Sequence, residues 1–183
     1  MHTLKRIWPQ LFPPANSATI TEANAPSQTG KVIIITGSTS GVGYELARIL
    51  YRAGATVYMA ARNQDKAEAA IRKIEESAES TTPGTLKFLS LDLNDLRTVK
   101  PFVDAFLAAE TRLDLLYNNA GVANVPPSKR TVQGLESHLG VNCVGPYLLT
   151  QLLAPRLVAT AKDPARHPTA CVLSGRAACL STC

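Results

Sequence analysis

From Lys31 onward the chain alternates short aliphatic runs with longer stretches in which apolar residues recur every three to four positions. Val32-Ile33-Ile34-Ile35 is unbroken by polar residues and ends in Thr36-Gly37, the pattern of a strand buried on both faces. Tyr44 to Ala53 carries Leu46, Ala47, Ile49 and Leu50 at helical spacing and stops at Gly54, a residue suited to ending a helix. The alternation then repeats. Thr56 to Met59 reads as a strand, Asp65 to Glu79 as a helix rich in Ala, Glu and Lys, and Leu86 to Leu91, after a Pro83-Gly84 turn, as a third strand. Asp95 to Ala109 is expected to be helical, with Pro101 kinking it or splitting off its first turn. Leu113 to Tyr117 reads as a fourth strand, about Gly134 to Leu153 as a long helix, and Ala170 to Leu173, behind Pro168, as a fifth strand. Residues 1 to about 29, rich in Pro, Ser, Thr, Ala and Asn, hold neither period and are expected to form an irregular arm before a domain over 30–183. Short strands separated by such helices imply right-handed βαβ crossovers, hence an α/β fold with a parallel sheet covered on both faces. Ligands on such sheets bind beyond the carboxyl ends of the strands, so chemistry is expected in the loops that follow them.

Composition removes several function classes. A chain of 183 residues, 45% hydrophobic and 18% charged, makes one domain with a real core and leaves little room for a second. Its 11 Gly and 12 Pro match ordinary usage, which excludes collagen-like and low-complexity chains. The longest stretch without a charge, Leu139 to Pro155, contains Asn142, Gly145, Pro146 and Gln151 and is too short to span a membrane. Trp8, Pro9, Pro13 and Pro14 interrupt the segment where a secretory signal would need a continuous apolar run, so a cytoplasmic location is expected. Cys143, Cys171, Cys179 and Cys183 show no C-x-x-C spacing and no partnering histidines, so free thiols are expected, with neither metal site nor disulfide framework. The net charge of +5 is scattered over Lys31, Arg48, Arg52, Arg62, Lys66, Arg72 and Lys73, and only 5% of residues are aromatic; no nucleic-acid partner is expected.

The loop after the first strand reads Thr36-Gly37-Ser38-Thr39-Ser40-Gly41-Val42-Gly43. Glycines spaced G-x-x-x-G-x-G between a strand and a helix permit a tight turn and a close backbone approach to a pyrophosphate, which the helix N-terminus attracts. A plain turn is the alternative, and the absence of Gly-Lys-Ser/Thr excludes a P-loop. The second strand ends near Arg62. A carboxylate there would favour NAD, whereas an arginine, helped by Lys66, can pair with the 2′-phosphate of NADP; a solvated arginine at a helix start is the alternative. The missing acid also weighs against a methyltransferase of similar layout. Asp92, at the end of the third strand, is placed to accept from an adenine amino group and to cap the next helix. Asn118-Asn119-Ala120-Gly121 ends the fourth strand with two amides and two small residues, suited to a backbone lying against a flat ligand, with an asparagine turn as the alternative. His138, at helical spacing with Leu135 and Asn142, reads as a packed helix residue and not as a base.

In order and spacing, Thr36 to Gly43, Asp92-Leu93, Asn118 to Gly121 and Val141-Asn142 resemble the short-chain dehydrogenase/reductase superfamily in its single-domain form. The resemblance covers about residues 30 to 174, and the lead-in "FPP…TE…QTGKVIIITG" is similar to retinol-dehydrogenase-like members common in fungi, which often modify lipids or secondary metabolites. It implies a Rossmann-type doubly wound parallel sheet, here about five of seven strands, and hydride exchange between NADP and a small-molecule carbonyl or alcohol. It would place Gly37, Ser38, Gly41, Val42 and Gly43 at the phosphates, Arg62 and Lys66 at the ribose phosphate, Asp92 at the adenine and Asn119 near the nicotinamide-side ribose. It also implies that Asn142 holds a water in a proton relay and that Ser174 is the one serine available to orient a carbonyl, although strict register puts Gly175 at that place.

The family's chemistry further needs a Tyr-x-x-x-Lys pair some 13 to 25 residues later, and no tyrosine or lysine follows Ser174. Tyr117 and Tyr147 fall where the family assigns packing. Two readings follow. The chain is a shortened NADP-dependent oxidoreductase, or it is a truncated, non-catalytic cofactor-binding remnant or interaction module; in both, the segment that builds the oligomer interface is expected to be lost.

Overall fold

The computed structural model describes residues 25–77, 83–162 and 171–174. Strands β1 (Val32–Thr36), β2 (Thr56–Ala61), β3 (Thr85–Ser90), β4 (Leu115–Asn118) and β5 (Cys171–Ser174) form one sheet in the order β3-β2-β1-β4-β5. All four pairings are parallel. Helices α1 (Gly41–Arg52), α2 (Gln64–Glu76) and α3 (Val99–Ala109) follow β1, β2 and β3. The helical segment α4 follows β4; it opens with one turn at Ser137–Leu139, passes through a π-helical stretch at Gly140–Val144 and continues as α-helix through Gly145–Ala161. The chain steps outward from β1 to β3 and then returns to the opposite side of β1, so the strand order reverses between β1 and β4. This is the doubly wound α/β architecture expected above.

The two layers follow from alternation along β1. Ile33 and Ile35 face α1 and α2, joining Val57, Met59, Ala47, Leu50, Ala70 and Ile74 in one buried cluster. Val32 and Ile34 point the other way, onto Phe102, Val103 and Phe106 of α3 and Leu149, Leu153 and Leu157 of α4. A central parallel strand is covered on both sides and therefore reads as an apolar run. The three β1 isoleucines are fully buried, worth roughly 1.5–3 kcal/mol each in apolar surface removed from water. On the edge strand β3, Lys87 reaches the Tyr58 hydroxyl (3.2 Å) and Glu110 (2.9 Å), pinning β3 and β2 to the end of α3. Burial opposes charge on Glu110, but the hydrogen bonds from Lys87 and Tyr58 outweigh it and hold its carboxyl below the ordinary value.

Several boundaries differ from the sequence expectation, each for a local reason. α1 begins at Gly41 and not at Tyr44, because a first helical turn needs no intrahelical N–H bonds and so tolerates Gly41 and Gly43. Gly134 is not helical; its φ of +79° closes a turn back to Thr131, and the helix starts at Ser137. At the other end α4 runs past Leu153 to Ala161 with Pro155 inside it, on an exposed face where Gln151, one turn earlier, is exposed as well. Pro101 lies in the first turn of α3, after a separate 3₁₀ turn at Leu96–Thr98. That turn is capped by Asp95, which accepts from Arg97 N; Asp92 instead accepts from Asn94 N at 2.9 Å, so the capping role expected of Asp92 belongs to Asp95. The expected reach of α2 to Glu79, most of the N-terminal arm, the lead-in to β5 at Pro168 and Ala170, and Gly175 lie outside the described residues. No helix among the described residues is long and apolar enough to cross a membrane.

Asp114 fastens β1 to β4 at their amino ends. It is buried, accepts from Val32 N at 2.8 Å and is held by the Arg112 guanidinium, while its own N–H donates to Val32 O at 2.8 Å. Asp114→Ala would leave the buried Val32 N–H without its acceptor and remove the carboxylate from the Arg112 guanidinium, at an expected cost of about 2–3 kcal/mol. Chemical denaturation is expected to show a lowered midpoint at unchanged slope; an unchanged midpoint would contradict the role given to Asp114.

Candidate functional site

At the carboxyl ends of the same two strands the chain forms a knot. Asn119 Nδ2 donates to Thr36 O (3.0 Å) and Gly37 O (3.1 Å), while Thr36 Oγ1 accepts from Ala120 N (2.9 Å) and donates to Tyr117 O (3.3 Å). The loops after β1 and β4 therefore touch along their backbones, and glycine makes this possible. A Cβ on Gly43 would lie 2.5 Å from Asn119 Nδ2 and 2.6 Å from Gly37 O, and one on Gly37, whose φ is +66°, would lie 2.9 Å from Ala120 Cα.

Above the knot opens a cleft of about 530 Å³ along the carboxyl edge of the sheet. Gly37, Arg62, Asp92 and Asn119, all singled out from the sequence, line it together with Thr36, Ala120 and Val141. Arg62 is exposed, without a hydrogen bond or ion pair among the described residues. Lys66 is exposed and does not line the cleft; its N–H is taken by the Asn63 cap of α2. Gly41, Val42 and Gly43 form the first turn of α1 just after Thr39 and Ser40, which line the cleft; the three do not line it themselves, and Val42 is exposed, while Ser38 is fully buried away from it with no hydrogen-bond partner for its hydroxyl among the described residues.

The start of α1 fits an anion. Ser40 is its N-cap but makes no side-chain cap bond, and the first turn holds no acid. Gly41 has a φ of +59° and open space where a Cβ would stand. By contrast Asn63 caps α2, and Glu136 caps α4 through the N–H groups of His138 and Leu139. The helix that faces the cleft is left with free N–H donors and the positive end of its dipole.

Across the cleft, the sequence Gly121-Val122 is clasped by the π-helical stretch. Asn142 Oδ1 accepts from Val122 N (2.8 Å) and its Nδ2 donates to Val122 O (3.0 Å), so both polar ends of the amide are spent on the loop after β4. The direct work of this side chain is to hold that loop. Ser174 pairs with Asn118 in the β4–β5 register, which sets it on the carboxyl edge of the sheet. His138 is not packed as expected: it is partly exposed, and its ring bonds Glu136 at 2.7 Å. Tyr147, expected to pack, is 66% exposed.

One part of the site was not visible in the sequence. The loop between β4 and α4 crosses to the turn after β3, where Val132 N donates to Asn94 O (3.1 Å) and Gln133 accepts from Leu96 N and donates to Asp95. This bridge brings Val125 and Lys129 to the cleft. Neither carries a local signal, since each sits in an irregular Pro-rich stretch.

The family described as short chain dehydrogenase matches residues 31–164. A short-chain dehydrogenase/reductase of Pestalotiopsis fici is 44% identical over 97% of this chain and 55% of its own length. Retinol dehydrogenase 12 of Mus musculus is 45% identical over 75% of this chain and 42% of its own. Among solved structures, a metagenomic short-chain oxidoreductase in complex with NADP is similar at 32% identity and a TM-score of 0.61, over 72% of this chain and 57% of that one. The chain spans about half the length of the curated relatives it matches.

Gly43→Ala is expected to overpack the knot and cost about 1–3 kcal/mol, read as a lower melting temperature; a neutral result would refute the close approach. The Glu136 carboxyl is held at about 2, below the ordinary 4.5, by the N–H groups of His138 and Leu139 and the His138 ring. A carboxyl so lowered stabilises the fold fully above the ordinary value, and the contribution fades as pH falls toward 2. The protection of the His138 and Leu139 amides from exchange, relative to their intrinsic rates at each pH, is expected to fall over that window in the native chain and to lose this dependence in Glu136→Gln; an unchanged protection in the native chain would contradict the role given to Glu136.

Proposed function

The chain belongs to the short-chain dehydrogenase family, and on that premise we propose that these residues form the NADP-binding part of an oxidoreductase acting on a small-molecule carbonyl or alcohol. The observation that carries the reading is the start of α1, whose N-cap Ser40 makes no side-chain cap bond and lines, with Thr39, the same cleft as Arg62 and Asp92. The free N–H groups of that first turn would hold the pyrophosphate, with Gly37 keeping the loop clear of side chains. Arg62, without a hydrogen bond or ion pair among the described residues, would bind the 2′-phosphate; its planar fork of donors suits a phosphate, and the second strand ends there in an arginine and not in a carboxylate that would select an unphosphorylated ribose. Asp92 would accept from the adenine amine. Asn119 would set the height of the cleft floor near the nicotinamide-side ribose, and Asn142 would keep Gly121-Val122 in place beside it. NADP, when bound, supplies or accepts the hydride; the protein's part is to orient the nicotinamide and its partner and to keep water from the bond that forms.

A second reading rests on the cleft itself: among the described residues, no tyrosine lines it. Without a positioned acid/base, turnover falls by about 10²- to 10⁴-fold, and these residues would then act as a cofactor-binding module.

Titration with NADPH and NADH, followed by a panel of ketones and aldehydes, tests both. NADPH is expected to bind more tightly than NADH, and Arg62→Ala to lose about tenfold for NADPH with little change for NADH. No binding of NADPH would refute the proposal. Binding with negligible oxidation favours the module, and rapid oxidation favours the enzyme.

A further inference from the structure

Lys129 is a second cation on the cleft wall, and no role given above uses it. Its main chain is fixed: the N–H donates to Pro126 O (2.9 Å), and the carbonyl accepts from both the N–H (3.2 Å) and the hydroxyl (3.0 Å) of buried Ser137. Its side chain is exposed and its ammonium has no partner among the described residues. The bridge through Val132 and Gln133 to Asn94 and Asp95 sets the loop on the side of the cleft where Asp92 lies, while Arg62 enters from the end of β2.

The chemistry of the two groups is complementary. An adenine edge offers one donor, its exocyclic amine, and ring nitrogens that only accept. A carboxylate only accepts and an ammonium only donates. Asp92 alone would meet the amine and leave the ring acceptors to water. Lys129, anchored by its backbone and free at its tip, completes the pair without competing for the phosphates already met by α1 and Arg62.

We propose that Lys129 is an adenine-positioning residue, its ammonium donating to a ring nitrogen of the adenine whose amine Asp92 accepts; this rests on the dinucleotide reading above. The contact is made at the rim, where water competes, so its loss is expected to weaken binding about five- to tenfold.

The test compares wild type, Lys129→Met and Lys129→Arg in the full chain with three ligands: NADPH, NADH and adenosine 2′-phosphate. Methionine keeps an unbranched stem and leaves the Ser137 tie intact, so melting temperature should not move. Lys129→Met is expected to weaken all three ligands by the same factor, with Lys129→Arg recovering most of the loss. A loss confined to NADPH and adenosine 2′-phosphate would assign Lys129 to the 2′-phosphate and overturn the proposal. So would a loss confined to the two dinucleotides, which would assign it to the pyrophosphate, or no loss at all. Failure of the wild type to bind any of the three would overturn the cofactor reading itself, whereas tight wild-type binding matched by Lys129→Met would overturn only this assignment.

Discussion

One side-chain amide decides the geometry of the carboxyl edge. Asn119 spans from the end of β4 to two successive carbonyls at the end of β1, at the point where the strand order reverses. β1 and β4 pair over only three residues, so the sheet alone fastens this seam weakly. The Thr36 hydroxyl and the Asn119 amide close it above, and Asp114 closes it below. Because the loops meet at backbone distance, Gly37 and Gly43 cannot carry side chains, and because they carry none, the first turn of α1 lies bare at the mouth of the cleft. Fold and ligand site thus rest on the same contacts.

Polar satisfaction is distributed unevenly around the molecule. Asn63, Asp95 and Glu136 each answer N–H groups of the helical turn they precede. Ser40, a residue type able to do the same, does not. α3 also lacks a side-chain cap, but it continues from the 3₁₀ turn that Asp95 caps, whereas α1 starts directly from the loop that lines the cleft. The same contrast holds for the cations: Arg62 and Lys129, which line the cleft, have no ion pair among the described residues, while Arg97, Lys87 and Arg112 pair with carboxylates within the fold.

Much of this was readable from residues because the pattern and the physics coincide. The isoleucine run announced a strand buried on both faces, and the glycine spacing announced the loop after it. What stayed hidden involves contacts between segments far apart. Nothing in Ser-Lys-Arg marks Lys129 for the cleft; its place is set by Gln133 bonding Asp95, thirty-eight positions away. For Asn142 only the fold shows that its amide accepts from Val122 N and donates to Val122 O. Asp92 and Asp95 exchanged the capping role because two acids so close in sequence offer equal local signals. His138 misled because helical spacing tells which residues share a face, not whether that face is covered; Tyr147, expected to pack from the family's pattern, is exposed.

The seam between β1 and β4 also has a history in each molecule's synthesis. Its closing bond joins Val32 to Asp114, 82 residues later in the chain. β1, α1 and β2 can collect locally as they leave the ribosome, but the other edge of the isoleucine strand has no partner until β4 emerges. At about 5–20 residues per second that interval lasts roughly 4–16 s. During it a nascent chain presents an unpaired, strongly apolar strand edge. Successful production therefore depends less on final stability than on what shields β1 while the ribosome finishes the next eighty-odd codons.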